Sequence, residues 1–218
     1  LVGSEMCIRD RDITKDVTSA ECEYERQEPE EVKPQSDTIT EEDLEMALTM
    51  VRESKKPFIF VGGGAVSANA SEELRAFAHK IQAPVTDSLM GKGAFDGTDE
   101  LYTGMIGMHG TKTSNFGVAE CDLLIVVGAR FSDRVVGDSS RFARKAKILQ
   151  LDVDPAEINK NIRTNASVIG DVKVILRRLN ARLDPMNHDE SIAHIERMKD
   201  MYPLRYNCLL YTSDAADE

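Results

Sequence analysis

The sequence contains no hydrophobic run of the ~20 residues that a bilayer-spanning helix needs. Its longest clean apolar stretch, Leu123 to Val127, is the size of one strand, so no membrane partner is expected. A basic excess is also missing. Against 38 Asp and Glu stand 27 Lys and Arg, a net charge of −11 with no dense cationic stripe, which argues against nucleic acid as a partner. Cysteine is sparse: Cys7, Cys22, Cys121 and Cys208 lie far apart and form no CxxC. That spacing speaks against a disulfide framework and against metal ligation, and points to a reducing cytoplasm. The four histidines (His79, His109, His188 and His194) show no ligand spacing, and His79 is expected to face solvent. HExxH, the P-loop and nucleophile-base signatures are absent. The opening residues have no signal-peptide pattern.

What is present fits one folded domain with flanking segments. Hydrophobic residues make up 41% of the 218 and charged residues 30%, a balance that supports a real core. Residues 1–11 (LVGSEMCIRDR) and 208–218 (CLLYTSDAADE) resemble translated sequencing-adapter DNA and are expected to be non-native; ordinary tails are the alternative. Residues 12–37, rich in Glu, Lys, Gln and Pro, read as the end of a preceding domain and an extended acidic linker. A domain over 38–183 follows, then a connector over 184–207 whose polar helix carries Ile192, Ile195, Met198 and Met201.

Within 38–183 strands and helices alternate. Thr40-Glu41-Glu42-Asp43 is an N-cap with acids in the first turn, and Leu44, Ala47, Leu48 and Val51 follow helical spacing. Phe58–Val61, Pro84–Leu89, Asp122–Val127, Lys147–Val153 and Val168–Gly170 read as strands, and Leu74, Phe77, Ala78 and Ile81 as a helix face. Asp171 caps a last helix bearing Val174, Ile175 and Leu179. The pattern predicts an α/β fold: an open parallel sheet of about six strands with helices on both faces, Rossmann-like in kind.

Ligands of such sheets bind beyond the carboxyl ends of the strands. Four loops there are informative. Gly62-Gly63-Gly64 could admit a phosphate against backbone, although GGGAVS is not GxGxxG and a tight structural turn fits as well. Gly107-Met108-His109-Gly110-Thr111 could cradle a flat or diphosphate ligand, or be a surface loop with an incidental histidine. Arg130, Asp133 and Arg134 in GARFSDRVVG offer guanidinium forks to an anion, or pair among themselves. Asp152 and Asp154 in LDVDPAEINKN could take ribose hydroxyls, while Asp154 also suits a helix cap.

Taken in order, TDSLMGKGAF (86–95), GMIGMHGT (104–111), ECDLLIVVGARFSDRVVG (120–137) and LDVDPAEINKN (151–161) resemble the middle domain of the acetolactate (acetohydroxyacid) synthases, within the thiamine-diphosphate enzymes. The likeness covers about Thr38 to Leu183, and Asp12–Val17 and Met198–Tyr206 are similar to the edges of the neighbouring pyrimidine-binding and diphosphate-binding domains. It implies condensation of two pyruvates, or pyruvate with 2-oxobutyrate, at the start of branched-chain amino acid (isoleucine and valine) biosynthesis. It implies thiamine diphosphate and Mg2+ bound elsewhere in the parent, since neither the catalytic Glu domain nor a GDG motif is present here, and this piece inactive alone.

The resemblance further implies FAD in this domain, without a redox part in the main reaction. By the same likeness FAD would touch Gly62, Gly63, Gly64, Thr86, Leu89, Met90, Ile106, Gly107, Met108, His109, Gly110, Gly128, Arg130, Asp133, Arg134, Val135, Asp152, Val153, Asp154, Glu157, Gly170 and Asp171. Arg134 would also position the second 2-oxo acid. A homodimer or tetramer of catalytic subunits with a small regulatory subunit is implied too. Ser132 and Val136 depart from the Asp and Thr that many relatives carry there. Two other readings stay open: a dinucleotide-binding module without catalysis, and an FAD-dependent oxidoreductase like pyruvate oxidase.

Overall fold

The computed structural model describes residues 15–21, 23 and 38–204; the adapter-like ends and most of the acidic linker lie outside the described residues. The chain divides into a unit up to Lys33 and a unit from Pro34 onward. In the first, one helical turn, α1 (Lys15–Thr18), is closed by the Thr18 and Ser19 hydroxyls donating to the Lys15 carbonyl.

The second unit is built on a six-stranded, all-parallel sheet in the order β3-β2-β1-β4-β5-β6. Its strands are β1 (Pro57–Val61), β2 (Val85–Asp87), β3 (Tyr102–Met105), β4 (Leu123–Val127), β5 (Lys147–Asp152) and β6 (Ala166–Ile169). The central pair, PFIFV and LLIVV, is buried along its whole length, as a sheet covered on both faces requires. The strand alternation sorts the core. Ile59, Val61, Leu123, Ile125, Val127, Leu149 and Leu151 face one side, where α2 (Glu41–Glu53), α4 (Ser71–Lys80) and α7 (Val172–Arg182) bury Leu48, Phe77 and Leu176. Phe58, Phe60, Leu124, Val126 and Ile148 face the other, beneath α5 (Lys112–Glu120) and α8 (Asp189–Met201).

Local chemistry sets the helix ends. Thr40 accepts from Asp43 N at the start of α2, Thr111 from Ser114 N at the start of α5, and Asp171 from Lys173 N and Val174 N at the start of α7. Asp154 accepts from Ala156 N and Pro155 fills the first position of a short 3-10 turn, Pro155–Glu157. The helix of the 184–207 connector is α8, and it is stitched to the sheet rather than standing apart. Ile195 and Met198 join the core, Met186 N donates to Lys80 O at 2.8 Å, and both ring nitrogens of buried His188 meet carbonyls, Ile81 O at 2.6 Å and Ser54 O at 3.1 Å. His79 faces solvent, as expected, with Asp99 Oδ2 2.8 Å from its Nε2.

Five strands were placed from sequence and the sixth was not: it is β3, Tyr102–Met105. The strand is short and bends at Gly104, whose φ of +97° is open to glycine and strained for other residues, so alternation is too brief to register.

Gln150 in β5 is wholly buried on the α5 side of the sheet, and neither its Oε1 nor its Nε2 has a partner among the described residues. A buried amide left unpaired costs about 1–3 kcal/mol. Gln150→Met, close to it in volume, is therefore expected to raise the free energy of unfolding by about 1 kcal/mol in guanidinium melts; a loss of stability would contradict the unpaired state.

Candidate functional site

Strand order 3-2-1-4-5-6 reverses direction between β1 and β4, and in a doubly wound sheet the loops leaving those two strands diverge to opposite faces and open a crevice. The register is level there: Val61 pairs with Asp87 and with Val127, Val127 with Leu151, and Asp152 with Ile169. Every loop singled out in the sequence therefore starts from the same edge of the sheet.

The two central loops touch through backbone. Gly62 N donates to Val127 O at 3.0 Å and Gly64 N to Gly128 O at 2.8 Å. A Cβ on Gly62 would stand 2.5 Å from Gly128 O, and one on Gly64 would stand 2.8 Å from Gly128 Cα. Gly128 itself holds φ +55°, with Ala65 N 2.6 Å from where its Cβ would be. Glycine is required here by contact, which decides in favour of a tight structural turn without removing the bare backbone surface beside it. The short helix α3 (Gly63–Ser67) leaves from this point, and Gly63 sits under Met90.

Neighbouring loops lean on this pair. Ser88 N donates to Val61 O at 2.9 Å and starts a 3-10 turn, Leu89–Gly91. Met108 N donates to Arg134 O at 3.0 Å, and a Cβ on Gly107 would stand 2.4 Å from that same oxygen, so the GMHG loop and the arginine loop are one surface. Arg134 belongs to the single turn α6 (Asp133–Val136); it and Asp133 are exposed and 3.9 Å apart, too loose a pair to occupy either group. Arg130 is exposed and makes no ion pair among the described residues. Behind the contact of the two loops lies a cavity of about 290 Å³ lined by Ile106, Asn115, Val118, Val135 and Phe142.

At the β5 end, Asp152 is 7% exposed and its Oδ1 accepts from Asp154 N at 3.0 Å. Burial raises its carboxyl above the ordinary range; the Asp154 and Val153 N–H groups oppose this, and the charges of Asp154 and Glu157 reinforce it. Gly170 N donates to Asp152 O at 2.9 Å, and Asp171 is committed to capping α7.

Two expected contacts are less available than the sequence suggested. Thr86 is fully buried with its hydroxyl donating to Gly104 O at 2.7 Å, and Ile106 is core. Both underlie the edge rather than line it. In contrast, Leu89 (72% exposed), Met90 (74%), Met108 (67%) and Val153 (47%) stand out along the edge as an apolar fringe. The sequence also gave no sign of the cluster at the end of β2: Lys92 Nζ donates to Asp87 Oδ1 at 2.9 Å, and the Tyr102 hydroxyl donates to Asp87 Oδ2 at 2.8 Å. Burial opposes the charge on Lys92, but Tyr102 and Asp87 outweigh it and raise its affinity for the proton. Only β3 pairing with β2 brings Tyr102 there, so local sequence could not reveal it.

Among known proteins, the family described as "Thiamine pyrophosphate enzyme, central domain" matches residues 44–179, from α2 to α7. The chain is 44% identical over 201 residues to an acetolactate synthase large subunit of Parasynechococcus marenigrum (strain WH8102), covering 88% of this chain and 33% of that protein. It is 45% identical over 161 residues to a probable acetolactate synthase large subunit of Methanocaldococcus jannaschii, covering 74% and 27%. With acetolactate synthase isozyme 2 large subunit of Escherichia coli (strain K12) the figures are 40% over 170 residues, 78% and 30%. The chain thus spans about a third of the length of the curated relatives it matches.

The β1–β4 junction makes a specific demand. Gly128→Ala is expected to cost about 3 kcal/mol or more, since it adds a backbone clash to a left-handed φ. Gly137→Ala, at φ +59° and ψ −108° with nothing within 4 Å, meets backbone strain without a clash and should cost less, about 1–3 kcal/mol. Equal losses for the two in denaturant melts would refute the close approach.

Proposed function

This chain belongs to the thiamine pyrophosphate enzymes, whose central domain it carries, and from that premise we propose that it is part of an acetolactate synthase large subunit and holds FAD along the carboxyl edge of its sheet. The parent would condense two pyruvates, or pyruvate with 2-oxobutyrate, on thiamine diphosphate and Mg2+ held outside this chain. The relatives' names, shared over 74–88% of this chain, support the activity. The FAD assignment rests on one observation: loops from all six strands meet at a single edge, where glycine backbone, exposed arginine and an apolar fringe lie side by side.

A dinucleotide needs those three surfaces at once. The bare backbone at Gly63 and Gly64 suits a pyrophosphate. Arg130 and Arg134 supply charge-assisted donors to it. Leu89, Met90, Met108 and Val153 give flat rings a surface to cover, which would bring four large apolar groups out of water. Asp152 would accept from a ribose hydroxyl. When bound, FAD would supply a flat isoalloxazine ring to the crevice without redox turnover in the main reaction. Arg134 would face the second 2-oxo acid. No described helix is long and apolar enough to cross a membrane, and a cytoplasmic setting with partner catalytic and regulatory subunits completes the reading.

Flavin fluorescence titration of the chain tests the site. FAD is expected to bind, and Arg130→Ala to weaken it by about 1.5–3 kcal/mol, the size of a hydrogen bond to a charged group. Because the Asp152 carboxyl is raised in the free protein, FAD affinity should rise with pH through its titration and level off above it, and Asp152→Asn should flatten that slope. Unchanged titrations in both variants would sink the assignment. On the parent protein, acetolactate formed from pyruvate without oxygen consumption separates a synthase from a pyruvate oxidase-like enzyme, and this chain alone should form none.

A further inference from the structure

The two faces of the sheet are covered unequally. On the α5 side the return paths from β4 to β5 and from β5 to β6 contain no long helix, only α6, a 3-10 turn and extended loops. Between these return loops lies a cleft of about 370 Å³, in the ~300–1,000 Å³ range of small-ligand sites. It sits over β5 and is not the crevice described above. Its floor includes Ile148, second residue of a strand whose carboxyl end is Asp152, and Ile148 N is held by Asn165 Oδ1, one residue before β6 begins. The cleft thus lies toward the amino ends of β5 and β6.

Its chemistry runs against that of the chain. In a protein of net charge −11, the lining holds Arg144, Arg163, Ser139, Ser140 and Asn161 and no carboxylate. Neither guanidinium makes a hydrogen bond or ion pair among the described residues. One acid lies close by: Asp138, whose Oδ1 accepts from the Ser140 hydroxyl at 2.6 Å and from Ser140 N at 2.9 Å, is held below the ordinary carboxylate range by those bonds and by the charges of Arg141 and Arg144. The floor is apolar, with Phe142, Ile148 and Ile162.

We propose that this cleft, between the return loops that flank β5, is a binding site for a small phosphomonoester carried on a flat heteroaromatic body, a nucleoside monophosphate in chemistry. Two forked guanidiniums suit a phosphate dianion, which carries more charge than the one Asp138 carboxylate near Arg144. The apolar floor of Phe142, Ile148 and Ile162 takes the ring face. None of these residues belongs to the FAD contacts proposed above, so the site stands or falls independently.

Residue-resolved amide NMR of the full chain, titrated with adenosine 5′-monophosphate, separates this site from the carboxyl edge. Shifts are expected at Ser139, Arg144 and Ile162. The double variant Arg144→Gln/Arg163→Gln should weaken the affinity read at those amides at least ~10-fold. Inorganic phosphate and adenosine should each bind there at least ~10-fold more weakly than the nucleotide. The proposal is overturned by absence of shifts at those amides up to about 10 mM, by shifts that survive the double variant, or by inorganic phosphate binding as tightly as the nucleotide.

Discussion

The backbone contact between Gly62-Gly64 and Gly128 is the constraint on which the rest depends. β1 and β4 are the only strands that join the β1–β3 half of the sheet to the β4–β6 half. Their paired run, Pro57–Val61 against Leu123–Val127, ends where two backbone segments pass closer than any side chain allows. Because that contact is made by backbone, the loops beyond it are placed by hydrogen bonds of fixed geometry, Gly62 N to Val127 O and Gly64 N to Gly128 O, rather than by adaptable side chains. The GMHG and arginine loops then dock on a rigid base. A crevice meant to hold a long cofactor in one pose benefits from such stiffness.

The same geometry explains what could be read from sequence. Elements that depend on neighbours in the chain were legible: the uninterrupted LLIVV strand, the Thr40 and Asp171 caps, the Asp154-Pro155 turn and the amphipathic face of α7. The candidate loops were legible as well, because glycine and arginine beyond a strand carry their own physical meaning. Elements set by distant partners were not. β3 exists because β2 offers it a ladder, and one of its own four residues, Gly104, bends it. The Lys92–Asp87–Tyr102 cluster, the burial of Thr86 and the unpaired Gln150 all follow from strand order, which no local pattern encodes.

Coverage of the sheet is lopsided, and the lopsidedness sorts stability from access. On the side of α2, α4 and α7 the core is continuous, with α7 crossing α4 and ion pairs from Arg177 and Lys173 to Glu73 sealing the rim. The other side rests on α5, α8 and two return loops, and both cavities described above open there. α8 contributes to this thinner layer and is anchored by His188 to the ends of α2 and α4, so it reinforces the face that needs it most.

The margins of the sheet carry a last consequence. A parallel sheet exposes unpaired backbone groups at both outer strands, and long flat margins invite another chain to add itself there. Here both are poor templates. β3 is four residues long and bent at Gly104, and β6 is four residues long with Thr38 donating its hydroxyl to the Ile169 carbonyl. Strand addition, and the runaway aggregation that begins with it, is disfavoured at either end, so any self-association of this unit falls to its helices and loops.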